Sequence, residues 1–301
     1  MSITHNTNHS RAVLLLIITA ILWSAGGLLI KLIEWNSVAI AGGRSFFAAI
    51  VLLVYLRKPQ FTWSKDQIYA AVAYACCCGL FVVATKLTTA ANAIVLQYTG
   101  PIYVALLSGW LLHERITRLD WLTIVIVLGG MVLFFADGLS MQGLLGNIIA
   151  IISGISFAFL AIFLRKQKDN SPTESLLLGN ILIFLCAIPA MVSVTSSGPD
   201  TVPFTNGLTY ISLGWLSILG IFQLGFPYIL YGKAIRYVSA LEATLLPVLE
   251  PLLNPIWVVI IMQEQPTLLS VIGGTIVIGA ITLRGIILSR RITSAQKYSM
   301  Q

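Results

Sequence analysis

A carboxylate lies in the middle of a long apolar stretch of this chain, where a charge is hard to accommodate. Glu250 occupies the centre of segment 239–262, and helical spacing places Pro247, Asn254 and Trp257 on the same face. If that segment crosses a membrane, the carboxylate must be protonated, paired or wetted, because the bilayer interior disfavours charge. Glu250 is therefore predicted to bind a proton or an ammonium group, and a structural hydrogen-bonding role is the alternative.

Arg44 is the second charge inside an apolar segment, in the first half of 37–56. A guanidinium keeps its proton, so Arg44 needs a carboxylate, carbonyl oxygens or a route to the lipid headgroups. A carboxylate on a bound molecule is one candidate partner, and a structural or snorkelling role is the alternative. Other apolar segments contribute polar and aromatic side chains that could line the same binding site: Trp23, Gln97, Tyr98, Gln223 and Tyr228.

Prolines interrupt the same segments. Pro247, Pro251 and Pro255 recur at every fourth residue around Glu250, and each removes a backbone hydrogen-bond donor. Carbonyl groups freed in this way are tolerated at membrane depth only where protein or water satisfies them. We therefore predict helix kinks at these three positions, and at Pro101 and Pro227 in two other segments.

The amino-acid composition indicates the environment in which these residues lie. Of 301 residues, 57% are hydrophobic and only 10% are charged, and the mean hydropathy is +0.91. Soluble domains have about 25% charged residues, so a soluble enzyme, a disordered chain and a secreted disulfide-rich module are excluded. Ten apolar segments are long enough to cross a bilayer: 12–33, 37–56, 67–85, 90–112, 119–136, 143–164, 174–195, 209–231, 239–262 and 268–288. The predicted fold is an all-α integral membrane protein with ten transmembrane helices.

The positions of the basic residues predict the orientation of the chain. Most Lys and Arg residues lie in alternate connecting segments, such as Arg57–Lys58 and Arg165–Lys166, while the other connections hold only Lys31 and Lys86. Because basic residues concentrate on the cytoplasmic side, both termini are predicted to be cytoplasmic. The net charge of +7 is thus explained by topology, and we expect no nucleic-acid partner.

The two halves of the sequence correspond at an offset of about 150 residues. The most informative pairs are Pro101 with Pro251, Glu114 with Glu264, and Thr117 with Thr267. We predict two domains, 1–138 and 139–301, each a five-helix repeat. Five is odd, so the second repeat enters the membrane from the opposite side, which gives an inverted repeat around a central cavity.

The repeated segments also resemble a known family. Residues 89–117, TAANAIVLQYTGPIYVALLSGWLLHERIT, and 239–267, SALEATLLPVLEPLLNPIWVVIIMQEQPT, resemble the two copies of the fourth-helix signature of the EamA-like drug/metabolite transporters. The resemblance implies a bacterial inner-membrane protein that exports amino acids or related small metabolites by alternating access. This chain departs from the family pattern at PVLEPLLNP, where Glu250 and Asn254 replace residues that are commonly apolar or small.

Other functions remain as alternatives: an importer or antiporter of sugar- or phosphate-linked metabolites, or a channel or membrane receptor. An enzyme is not expected, because the sequence has neither an ATP-binding GxxxxGK[ST] motif nor HExxH. We expect no cofactor and no metal, and Cys76, Cys77, Cys78 and Cys186 are interpreted as small apolar filler. The expected partners are the lipid bilayer and a small-molecule substrate, with a proton as a candidate co-transported ion. The expected state is a monomer or a weak homodimer.

Overall fold

The structure is a computed structural model that describes residues 2–24, 26–31, 33, 35–170, 172–193, 210–253 and 267–299. Within these ranges it is helical and contains no strands. The first seven helices are α1 (Ser2–Ser24), α2 (Gly26–Lys31), α3 (Ser37–Leu56), α4 (Lys65–Leu87), α5 (Ala90–Gln97), α6 (Gly100–Leu111) and α7 (Arg118–Phe134). The others are α8 (Leu144–Lys166), α9 (Pro172–Ser193), α10 (Tyr210–Ile218), α11 (Phe226–Ala234), α12 (Ala240–Leu245) and α13 (Leu268–Ser299).

Among the described residues, seven helical stretches are long and apolar enough to cross a membrane. They are Ser37–Leu56, Lys65–Leu87, Ala90–Leu111, Leu144–Lys166, Pro172–Met191, Leu213–Ala234 and Leu268–Leu288. The chain is therefore a multi-pass membrane protein. The first predicted segment, 12–33, includes part of α1, whose helix already begins at Ser2, and α2. The fifth corresponds to the 17-residue α7, and the ninth begins with α12.

Local sequence explains where several helices begin. Thr89 and Ser239 are N-caps, because their side-chain oxygens accept hydrogen bonds from the backbone N–H groups of Asn92 and Glu242. Glu242 also accepts from the Ser239 backbone and completes a capping box. The two N-caps are related by the same offset of about 150 residues that relates the halves of the sequence.

Helices interrupted near their centres mark the predicted proline positions. A turn at Tyr98 and Thr99 separates α5 from α6, and Pro101 lies in the first turn of α6. In the second half of the chain, Pro247 lies in a 3-10 turn, Leu246–Val248, which follows α12. Residues 249–253, with Pro251, are helical again, whereas Pro255 lies outside the described residues.

The eighth apolar segment is interrupted differently from the prediction. A π-helical segment, Leu219–Gly225, joins α10 to α11, and Pro227 lies in the first turn of α11. Gly220 packs directly against the carbonyl oxygen of Arg44 and the Cβ atom of Phe47 in α3. The π segment therefore lies close against α3.

The helices pack in a few extensive pairs: α4 with α8, α3 with α9, α7 with α13, and α1 with α11. Glycines allow the closest approach between α7 and α13, where Gly130 and Gly273 bring the two backbones together. Large apolar side chains such as Val54 and Leu122 point outward, while Arg44 and Asn180 are buried inside. This distribution is typical of a protein whose outer surface contacts lipid.

Candidate functional site

A small cavity lies between the helices and is surrounded by polar and aromatic side chains. Its volume is about 40 Å³, enough for a few water molecules but far below the ~300 Å³ of ordinary ligand pockets. The lining residues come from α1, α3, α4, α5, α8, α11, the π segment and the helical residues after α12. They are Trp23, Arg44, Cys77, Cys78, Phe81, Gln97, Tyr98, Phe157, Gln223, Leu224, Tyr228 and Glu250.

The cavity brings together most of the residues that the sequence proposed for a binding site. These are Trp23, Arg44, Gln97, Tyr98, Gln223, Tyr228 and Glu250. Asn254 and Trp257 lie outside the described residues. Residues that are up to 227 positions apart in sequence thus converge on one space, through helices from both halves of the chain.

Glu250 is held where the two interrupted segments cross. The Tyr98 hydroxyl donates a hydrogen bond to Glu250 Oε2 at 2.5 Å and lies 3.0 Å from the carbonyl oxygen of Pro247. Tyr98 belongs to the turn between α5 and α6, and Pro247 belongs to the 3-10 turn after α12. The hydroxyl therefore lies against both breaks and donates its single proton to the carboxylate.

Arg44 reaches into the interior rather than toward the lipid headgroups. Its side chain is 2% exposed, with Nη1 donating to Gln223 Oε1 at 3.2 Å and Nη2 to the carbonyl oxygen of Cys78 at 2.8 Å. The snorkelling alternative is therefore wrong. No ion pair of Arg44 or Glu250 is formed within the described part of the chain, although both charges face the same cavity.

Aromatic rings form one wall of the cavity. The Trp23 ring lies 4.9 Å from that of Tyr228, 5.7 Å from that of Tyr231 and 6.4 Å from that of Phe157, measured between ring centroids. The Nε1 atom of Trp23 is buried and has no hydrogen-bond acceptor within the described ranges. This wall suits an apolar group, and the cavity as a whole combines apolar, anionic and cationic surfaces.

The sequence interpretation missed five residues of the cavity: Cys77, Cys78, Phe81, Phe157 and Leu224. Cys77 and Cys78 were interpreted as filler, but both line the cavity, and Cys78 Sγ lies 3.2 Å from the Tyr228 hydroxyl. Gln97 donates to Ser153 at 2.8 Å, and Ser153 in turn donates to the carbonyl oxygen of Cys77 at 2.8 Å. A three-cysteine run in an apolar segment gives no sign of which thiol faces inward, because every face of that segment is apolar.

A second, larger cavity of about 540 Å³ lies at the other end of α12, beside its first turn. Its walls carry ion pairs: Arg284 lies 2.9 Å from Asp120 and 3.6 Å from Glu242, and His9 lies 3.4 Å from Glu242. The hydrogen bond with Glu242 raises the pKa of His9 above its usual value. Because Arg284 and His9 pair with carboxylates of the same wall, these charged groups are already engaged.

Comparison with known proteins decides the class of protein. The sequence profile of the EamA-like transporter family matches residues 10–136 and 144–285. The chain belongs to the EamA-like transporter family. Within the described residues, this EamA-like protein is all-helical, and its lipid-facing apolar surface agrees with the membrane location of the family.

Several relatives of this EamA-like chain are named as transporters. An uncharacterized transporter of Archaeoglobus fulgidus is 22% identical over 269 residues, which cover 89% of this chain and 94% of the relative. The pseudopaline exporter CntI of Pseudomonas aeruginosa is 24% identical over 195 residues, covering 63% of this chain and 64% of that protein. A solved crystal structure has the same fold, with a TM-score of 0.75 at 15% identity, over 93% of this chain and 98% of the other.

Proposed function

We propose that this chain is a secondary transporter that exports small metabolites, amino acids or related compounds, by alternating access. The observation that carries the proposal is the central cavity, where Glu250 and Arg44 face the same space and, among the residues that the structure describes, form no ion pair. Unpaired opposite charges at membrane depth are costly, and in membrane proteins they commonly mark a substrate or proton pathway. Glu250 is proposed to bind a proton or a substrate ammonium group, and the aromatic wall to contact the apolar part of the substrate.

An inverted repeat supports alternating access. We propose ten transmembrane helices in two five-helix repeats, 1–138 and 139–301. The N-caps Thr89 and Ser239 are equivalent at the offset of about 150 residues, as are the break after Gln97 and the turn at Pro247. Two broken helices that meet at a central site are a recurrent transporter design, because half-helix ends and freed carbonyls face the cargo.

The packing pairs fit the same pseudo-symmetry. In the proposed repeat, α4 is equivalent to α11 and α8 is equivalent to α1. The pair α4–α8 therefore corresponds to the pair α11–α1. The pairs α3–α9 and α7–α13 each join a helix to its own equivalent. A repeat whose contacts interchange in this way gives inward-open and outward-open states of similar energy.

The cellular setting is proposed from the charge distribution and the family. The basic connecting segments favour cytoplasmic N- and C-termini in a bacterial inner membrane. The proposed partners are lipid, a small-molecule substrate and a proton, in a monomer or weak homodimer that is not an enzyme. The exporter CntI, a relative of this chain, supports export as the direction.

Glu250→Gln tests the transport site. Cells that express the chain are challenged with a panel of toxic amino-acid analogues and metabolites, and intracellular accumulation is measured. The wild-type chain is expected to lower accumulation of at least one compound. Glu250→Gln is expected to weaken that effect about tenfold or more, because an ionic hydrogen bond contributes roughly 1.5–3 kcal/mol.

Glu174→Gln is the matched control, because Glu174 is also buried but does not line the cavity. Both variants must be present in the membrane at wild-type abundance. Equal accumulation with and without the wild-type chain across the panel contradicts an exporter. Full export by Glu250→Gln removes Glu250 from the mechanism.

A further inference from the structure

We propose that Arg44, Trp23 and Gln223 form a subsite that binds the carboxylate group of the transported molecule. This inference rests on the proposed function, and it adds the chemical class of the cargo and the residues that recognise it. The three side chains come from α3, α1 and the π segment, and all of them line the central cavity.

Arg44 supplies the charge of the subsite. It is 2% exposed, its acceptors on Gln223 and Cys78 are neutral, and its Nε atom has no acceptor among the described residues. A buried guanidinium that forms no direct ion pair is costly, and an anion that binds beside it removes much of that cost. The protein therefore holds an unmet preference for one anionic group at this cavity.

Trp23 supplies a second donor without an acceptor. Its side chain is 5% exposed, and no acceptor for its buried Nε1 atom is found in the part of the chain that the structure describes. An indole N–H can only donate, so whatever satisfies it must bring an acceptor. A carboxylate has two acceptor oxygens, which match the two orphan donors, Arg44 Nε and Trp23 Nε1.

Gln223 holds the guanidinium in place until a carboxylate of the cargo replaces its amide oxygen as the acceptor for Arg44 Nη1. Its amide oxygen accepts from Arg44 Nη1 at 3.2 Å, which is longer than the ~2.7–2.9 Å of a charge-assisted hydrogen bond. A carboxylate oxygen is a stronger acceptor for the same nitrogen. The close packing of Gly220 against α3 fixes the π segment, so Gln223 and Arg44 remain opposite each other.

Glu250 on the same cavity limits the charge of the cargo. A phosphate ester carries about −1.5 to −2 charges at pH 7, and a second negative charge beside Glu250 is repelled. A monocarboxylate satisfies Arg44 with the smallest negative charge. The cavity therefore favours monocarboxylates over phosphate-linked metabolites.

The test measures ligand-induced shifts in the melting temperature of the purified full chain. The probes are the twenty protein amino acids, each paired with its own C-terminal amide, and glucose 6-phosphate. The amide keeps the side chain and the ammonium group but removes the carboxylate. We expect that an acid that raises the melting temperature binds about tenfold or more tightly than its amide, and that glucose 6-phosphate gives no shift.

Gln223→Glu is the sharpest variant, because it places a carboxylate beside Arg44 without changing the shape of the side chain. We expect this variant to fold, to melt no lower than the wild type, and to lose the acid-induced shift. Trp23→Phe keeps an aromatic ring but removes the N–H, and is expected to weaken acid binding about tenfold. Trp110→Phe is the matched control, because Trp110 is 77% exposed on the outer surface.

Three outcomes overturn the subsite: equal binding of acid and amide, acid binding that survives in Gln223→Glu, and no shift of the wild-type chain by any acid. None of these depends on export from cells. If cells export a compound that lacks a carboxylate, the transporter function stands and the subsite fails. If acids bind but no compound is exported, the subsite stands and the transporter function fails.

Discussion

At the scale of single residues, buried polar groups in this chain are of two kinds. Beside the first turn of α12, Arg284 forms ion pairs with Asp120 and Glu242. Among the described residues, Glu250 and Arg44 in the central cavity form no such pair, and their bonds go to a tyrosine hydroxyl, an amide oxygen and a backbone carbonyl. The first kind stabilises a fixed arrangement, and the second leaves charge available to a ligand.

His9 gives a prediction for the first kind. Its hydrogen bond to Glu242 raises its pKa above the usual 6.5, so protonated His9 stabilises the folded state. That stabilisation is fully present below pH 6.5 and is lost as the pH rises through the raised pKa. The melting temperature of the wild-type chain is therefore expected to fall more than that of His9→Gln between pH 6 and pH 9.

His113→Asn is the control for this comparison. His113 is exposed and has a positive φ of 57°, a conformation that asparagine tolerates. This variant is expected to follow the wild-type pH dependence. Parallel pH profiles of wild type and His9→Gln are the result that contradicts a contribution from the His9–Glu242 pair.

At the scale of helices and turns, interruptions position the cavity residues. The turn before α6 presents Tyr98, the 3-10 turn after α12 precedes Glu250, and the π segment presents Gln223. Segments with π-helical geometry are rare in proteins, but those that occur are often found at functional sites. At each interruption, a side chain or a carbonyl group points toward the interior. A straight helix would place the same group elsewhere.

Gly26→Ala tests how the π segment is positioned. An ideal Cβ atom at Gly26 would lie 2.6 Å from Gln223 Nε2, so the variant must push the Gln223 amide away. Overpacking of this kind costs about 1–3 kcal/mol. We expect a lower melting temperature and weaker export, whereas Gly79→Ala, which introduces a Cβ into open space, is expected to behave as wild type.

A double variant separates this contact from general damage to the helix. Gln223→Ala removes the amide group that clashes with the new Cβ atom of Gly26→Ala. In that background, the decrease in melting temperature caused by Gly26→Ala is expected to disappear largely. An undiminished cost there means that the strain lies elsewhere.

The sequence predicted some of these elements and could not predict others. Length and hydropathy locate membrane helices because lipid requires about 20 apolar residues, and the prolines at 101 and 247 lie beside interruptions of the helices. The π segment arises from tertiary packing of Gly220 and Gly225 against α3, which no local pattern reveals. The inward faces of Cys77 and Cys78 were hidden for a related reason, because α4 is apolar all round.

At the scale of the whole molecule, the central claim is that one cavity serves both sides of the membrane in turn. The cavity is small, about 40 Å³, so a metabolite can bind only after the surrounding helices separate. In the proposed repeat, the pair α4–α8 corresponds to the pair α11–α1, and this correspondence supports separation at either end. Access to the cavity is therefore the quantity that distinguishes a transporter from a channel or a receptor.

Labelling of the native cavity thiols tests this claim most directly. Cys76 and Cys186 are replaced by alanine, which leaves Cys77 and Cys78 on the cavity wall, and a membrane-impermeant maleimide is added to right-side-out and inside-out vesicles. A chain with all four cysteines replaced gives the background. Alternating access predicts labelling from each side in vesicles that remain impermeable to small solutes. Labelling from one side only, or from neither side, contradicts it.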